Sequence, residues 1–176
     1  VMERSGGRRV VVGVSGTLGS LTALHRAAAE ARRADAELWA VLAWAPPGGE
    51  PSRRGSSGPS LLDECRWAAV ERLLQATRTA FGDAGPGVPM EGLVVRGTPG
   101  AVLTGAANSP EDLLVVGAGV RGRLRRALRP SVARYCLAHA SCPVLAVPPS
   151  PLQDGIDAVK RRIAWHMPLD TRELAD

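Results

Sequence analysis

The chain has 176 residues, 45% of them apolar, and a formal net charge of +5. That length suits one ordinary domain, and the apolar content supplies a core, which excludes wholesale disorder. No apolar run approaches the roughly 18 residues of a membrane span, and no basic–apolar leader opens the chain, so the expectation is a cytoplasmic protein without membrane contact.

Arg9–Val14 (RVVVGV) is a continuous apolar run, the pattern of a strand buried on both faces. Ser15–Ser20 reads as a turn whose Ser and Thr side chains can cap the next helix. From Ser20 to Ala34, Leu21, Leu24, Ala28 and Ala31 recur at helical spacing, and Glu37–Trp44 (ELWAVLAW) is a second strand. This β-α-β order implies parallel pairing. Ala45–Ser60 is a Pro/Gly/Ser loop without period. Ser60 is expected to cap a helix over 61–81 with Leu62, Cys65, Ala69, Leu73 and Ala76 as its core stripe.

Val88–Arg96 reads as the third strand, and Gly97–Gly100 as a turn with Pro99 suited to a first helical position. A helix over 101–108 and a fourth strand, Asp112–Val116, follow. The closing pair is a helix over 131–140, opened by Ser131, and a strand, Cys142–Val147. Five strands alternating with four helices predict an α/β fold. Its sheet is single, open, mostly parallel and five-stranded, with helices on both faces. The domain spans 8–148, and 149–176 form a C-terminal extension in which Ile156, Val159 and Ile163 suggest a short docked helix.

The three cysteines, Cys65, Cys136 and Cys142, form no CxxC pair and read as reduced thiols, Cys136 facing the core. His25, His139 and His166 are scattered, so no metal site is expected. From Leu113 to Gln153 there is no Asp or Glu, yet Arg121, Arg123, Arg125, Arg126, Arg129 and Arg134 are present, a local positive patch. With one Tyr and one Phe the chain offers no stacking platform, so nucleic acid is an unlikely partner; an acidic protein is the alternative one.

Gly117–Gly122 (GAGVRG) matches the dinucleotide G-x-G-x-x-G by letter. It follows the fourth strand and no acid for a ribose lies downstream, which argues against NAD or FAD. No G-x-x-x-x-G-K-[ST] exists, and no carboxylate cluster closes the first or third strand to hold Mg²⁺ for phosphoryl transfer. No catalytic residue stands out. What remains is a glycine- and arginine-rich loop leading into the Ser131 helix N-terminus, a place where α/β proteins bind anions. Ser131 could equally serve only its own helix.

RVVVGVSGTLGSLTALHRAAAEARRADAELWAVLAW, VVRGTPGAVLTGAANSPEDLLVVGAG and PSVARYCLAHASCPVLAV together resemble the universal stress protein family over residues 8–148. The resemblance implies a Rossmann-like fold of the adenine nucleotide alpha-hydrolase type. It also implies a stress-associated sensing or regulatory role by binding ATP (or AMP or ADP), with Mg²⁺ accompanying ATP, and no turnover. Nucleotide-binding members use a glycine, two residues, a glycine, nine residues, then glycine and serine or threonine. Here the first glycine is Gly117 and the serine Ser131, while Val120 and Pro130 stand at the other two glycines, and Ser15 stands at an aspartate.

The implied pocket is Gly13, Ser15, Thr17, Ala43, Val116, Gly117, Gly119, Arg121, Gly122, Arg129, Ser131 and Val132. Its departures leave two alternatives open. One is an interaction protein that holds no cofactor and uses the arginine loop; the other is a weak nucleotide hydrolase. The resemblance further implies a homodimer through Val144–Val147, an apolar strand without a charged gatekeeper.

Overall fold

The computed structural model describes residues 7–46, 59–118 and 131–148. Within them the elements are β1 (Arg9–Gly13), α1 (Leu18–Ala34), β2 (Glu37–Trp44), α2 (Pro59–Phe81), β3 (Met90–Arg96), α3 (Pro99–Ala106), β4 (Leu113–Gly117), α4 (Val132–His139) and β5 (Val144–Val147), with a 3₁₀ turn at Gly82–Ala84 after α2. The strands form one sheet in the order β3-β2-β1-β4-β5, and every neighbouring pair is parallel. The α/β expectation holds element for element, with "mostly parallel" becoming wholly parallel among the described strands. The expected tail helix lies outside the described residues.

The sheet is covered on both faces, which explains the uninterrupted apolar spelling of its central strands. Val10, Val12 and Val14 point to one side, into a cluster with Leu24, Ala27, Ala28 and Ala31 of α1 and Ala69, Leu73 and Ala76 of α2. Val11 points to the other, with Val41, Leu114 and Val116, against Leu103 of α3 and Ala133 and Cys136 of α4. Burying each large aliphatic chain of this kind is worth about 1.5–3 kcal/mol, so the two clusters are the main source of stability. The stripe read for α2 is the observed one: Ala69, Leu73 and Ala76 are buried, with Leu62 and Cys65 half-buried above them.

Helix starts follow local chemistry. Thr17 caps α1, its Oγ1 accepting the Ser20 N–H at 3.4 Å, and Pro99 occupies the first turn of α3. One reading is corrected. Ser60 does not cap α2, because Pro59, whose fixed φ suits a first helical turn, already lies inside that helix. β5 sits at one edge of the sheet, paired with β4 alone among the described strands. This is the position that pairing with a second copy would require.

The amino end of the sheet is tied by a pairing that the sequence pattern did not reveal. Arg9 at the start of β1 grips Asp112, just before β4, through Nε to Oδ1 at 3.0 Å and Nη2 to Oδ2 at 2.6 Å. Asp112 is 2% exposed; its Oδ2 also accepts the Ser109 N–H at 3.0 Å, and Arg9 Nη2 donates to Asn108 Oδ1. The guanidinium lies 4.6 Å above the Trp39 ring, so the cation is stacked as well as paired. Removing one member of such a pair leaves the other charge buried without compensation. Asp112→Ala should therefore lower the unfolding free energy by about 3 kcal/mol, read as a lower urea midpoint at unchanged slope. An unchanged midpoint would contradict the role given to this pair.

Candidate functional site

β1 is the strand where the chain changes direction across the sheet: α1 and β2 follow to one side, and β4 lies on the other. Its pairing with β2 runs through Gly13↔Val41 and continues in a bond from the Val14 N–H to the Val41 carbonyl at 2.8 Å. Its pairing with β4 stops earlier, at Val12↔Val115. Beyond that point Gly13 and Val116 part. A crevice at the carboxyl ends of strands, at such a reversal, is the usual ligand site of an open α/β sheet.

A cavity of about 330 Å³ occupies this crevice, within the roughly 300–1,000 Å³ range of small-molecule sites. Its floor and flanks are Gly13, Val14, Val41, Leu42, Ala43, Val116, Gly117, Ala118 and Val147 from strand ends. Ser15 and Thr17 come from the β1–α1 turn, Gly19 and Ser20 from the first turn of α1, Arg72 from α2, Pro99 and Leu103 from α3, and Val132 from α4. Seven of the twelve residues expected at a pocket thus stand around one space: Gly13, Ser15, Thr17, Ala43, Val116, Gly117 and Val132. Gly119, Arg121, Gly122 and Arg129 lie outside the described residues. Ser131 is not among the lining residues; it stands next to Val132 as the N-cap of α4, its Oγ accepting the Arg134 N–H over a long 3.5 Å.

The glycines at the crevice are there for room. A Cβ on Gly13 would meet Leu103 Cδ1 at 2.8 Å, and one on Gly117 would meet the Gly19 carbonyl oxygen at 3.2 Å. Gly117 thus lets the end of β4 run against the start of α1. Gly16 has φ +76, a left-handed conformation that suits glycine, and this turns the loop so that Ser15 Oγ and Thr17 Oγ1 sit 3.0 Å apart. Aliphatic walls, a pair of hydroxyls and the amino end of α4 (whose first N–H groups no helical carbonyl can satisfy) make a site for a flat, largely apolar body carrying an anion.

The described lining holds no Asp, Glu, His, Cys or Lys, so the hydroxyls of Ser15, Thr17 and Ser20 have no general base among the described walls to activate them. Among the described residues no set of three or more His, Cys, Asp or Glu side chains could hold a metal. The two thiols of the α4–β5 region belong to the fold. Cys136 is fully buried, as its place on the helix predicted, and burial followed by the nearby Cys142 pushes its thiol above the usual range. Cys142 is likewise pushed up, by burial and then by the Asp112 carboxylate. Both stay protonated at neutral pH and are weak nucleophiles.

Sequence reasoning missed the walls supplied by Arg72, Pro99, Leu103 and Val147. Their sequence neighbourhoods look like ordinary helix or strand, and only the topology brings them to the crevice.

The chain belongs to the universal stress protein family, whose model matches residues 7–148. Among solved structures it is similar to a universal stress protein in complex with cAMP, at 27% identity over 82% of this chain and 98% of that one, with a TM-score of 0.54. It also resembles the universal stress protein UspA from Lactobacillus plantarum (22% identity, 80% and 97% covered, TM-score 0.58). A third likeness is to a universal stress protein family protein from Arabidopsis thaliana with AMP bound (17%, 83% and 94%, TM-score 0.51). No curated protein matches the chain. No helix among the described residues is long and apolar enough to cross a membrane.

The close approach at Gly117 is testable. Gly117→Val forces branched carbon against the Gly19 carbonyl and should destabilise the fold by about 1–3 kcal/mol. A thermal unfolding midpoint equal to that of the parent chain would show that the approach has slack.

Proposed function

We propose that this protein binds an adenine nucleotide in the crevice beyond Gly13 and Val116 and acts as a stress-linked sensor or regulator by binding, without turnover. The observation that carries the reading is the cavity itself. It opens where β1 and β4 separate, it is walled by aliphatic chains, and the amino end of α4 stands beside it at Ser131 and Val132. The cAMP complex of the 27%-identical relative supports the ligand class.

In this reading the purine lies between Val14, Leu42, Ala43 and Leu103, where its faces are desolvated against aliphatic groups. A phosphate sits toward Gly117, Ala118 and the first turn of α4, where backbone N–H groups and the helix dipole favour negative charge. Ser131 can donate its hydroxyl there in place of, or beside, its capping bond. With no carboxylate on the described walls, a Mg²⁺ arriving with ATP would be held by phosphate oxygens and water. The lack of a general base on the described walls favours binding over hydrolysis.

The second reading, an interaction protein that holds no nucleotide, draws on Val120, Pro130 and Ser15, which depart from the nucleotide-binding pattern. A filled cavity distinguishes the two. Ala43→Trp puts an indole into the purine space from a half-buried strand end. It should weaken AMP binding at least about tenfold in calorimetry, the loss of roughly 1.4 kcal/mol or more, while leaving the unfolding midpoint near that of the parent. Equal AMP affinity in parent and variant would remove the crevice as the site.

A further inference from the structure

Arg72 is the only charged residue among the described walls of the cavity. It projects from α2, and its stem lies against the β1–α1 turn: a Cβ on Gly16 would stand 3.4 Å from Arg72 Cγ and 3.6 Å from Cδ. Glu71 precedes it in sequence but points to another side of the helix, and no acid stands at the helical pairing positions. At three and four residues on either side stand Ala68, Ala69, Gln75 and Ala76, the positions through which helical ion pairs form. On α1 the contrast is plain: Arg26 and Arg33 both pair with Glu30, at 2.6 and 3.2 Å. The Arg72 side chain makes no ion pair or hydrogen bond with any described residue.

Its position relative to the other anion-favouring feature matters. α1 and α2 cover one face of the sheet, whereas α3 and α4 cover the other. Arg72 therefore reaches the cavity from one face, and the amino end of α4, with Val132 on the wall, reaches it from the opposite face. The turn between them offers only Ser15 and Thr17 hydroxyls, with no carboxylate to neutralise the guanidinium. A ligand lying across the strand ends meets a positive field at both sides of the crest.

We infer that the site selects a nucleotide with two separated anionic groups, a nucleoside phosphorylated on the ribose 2′ or 3′ hydroxyl as well as at 5′, with Arg72 as the specificity-determining residue for the second phosphate. This inference rests on the adenine-nucleotide reading given above. The planar guanidinium with its forked donors matches a phosphate in two-point contact. Its exposure to solvent makes the selectivity depend on salt.

The experiment compares AMP with adenosine 3′,5′-bisphosphate by calorimetry on the full chain and on Arg72→Gln, at low and moderate salt. The parent should bind the bisphosphate about tenfold more tightly than AMP, a ratio that shrinks with salt. In Arg72→Gln the ratio should fall to about one, the bisphosphate losing about tenfold more affinity than AMP, with the unfolding midpoint near that of the parent because the exposed side chain is not needed for folding. AMP binding with no preference for the bisphosphate in the parent overturns the inference and leaves the nucleotide reading intact. A preference that survives in Arg72→Gln assigns the second phosphate to another cation and also overturns it. Failure of both ligands to bind overturns the nucleotide reading, and the inference falls with it.

Discussion

The structure depends on a strand that keeps one neighbour longer than the other. β1 lies at the centre of the sheet, with Val10, Val11 and Val12 buried. It holds β2 through Gly13 and Val14 but releases β4 after Val12. A parallel sheet whose successive crossovers cover opposite faces must send its loops apart at the strand where the order reverses. The cavity is the space this leaves. Its walls are therefore strand ends, the β1–α1 turn and parts of the helices that flank the strand ends, and its position follows from topology before any side chain is chosen.

The two ends of the sheet are built for different tasks. At the amino end, Arg9, Asp112, Asn108, Trp39 and the Ser109 N–H satisfy one another, and the neighbouring Cys142 and Cys136 are held as protonated thiols. Charge there is spent inside the molecule, fixing the register of β1 against β4. At the carboxyl end the polar groups face outward into the crevice: Ser15, Thr17, the amino end of α4 and an arginine whose side chain has no partner among the described residues. A tied lower end lets the upper end stay open, because the strands are already aligned where they enter the gap.

Much of this was legible in the residues. RVVVGV and LLVVG spell strands buried on both faces, the stripe Ala69, Leu73, Ala76 locates the buried side of α2, and Thr17, Pro99 and Ser131 mark helix starts by chemistry that needs no tertiary context. Gly13, Ser15, Thr17, Ala43, Val116, Gly117 and Val132 were placed together through the family resemblance, and the cavity joins them. Arg72 and Leu103 were not legible as wall residues, since periodicity says which side of a helix is buried and not what the end of that side overlooks. Arg9 and Asp112 lie 103 positions apart, and each reads alone as a flanking surface charge. Ser60 was misread because a serine before an apolar stripe resembles a cap, while the Pro59 beside it carried the stronger helix-start preference.

Adenine nucleotide binding at the crevice is the claim on which the functional account stands, and ligand-dependent stability tests it directly. A ligand that binds only the folded chain raises stability as RT ln(1 + [L]/Kd), about 2.7 kcal/mol at a hundredfold excess over Kd. The account predicts that AMP and cAMP raise the thermal unfolding midpoint in a saturable way, that Ala43→Trp abolishes the rise, and that inorganic phosphate at the same concentration does not reproduce it. A midpoint that stays flat across adenine nucleotides up to millimolar concentration would contradict it.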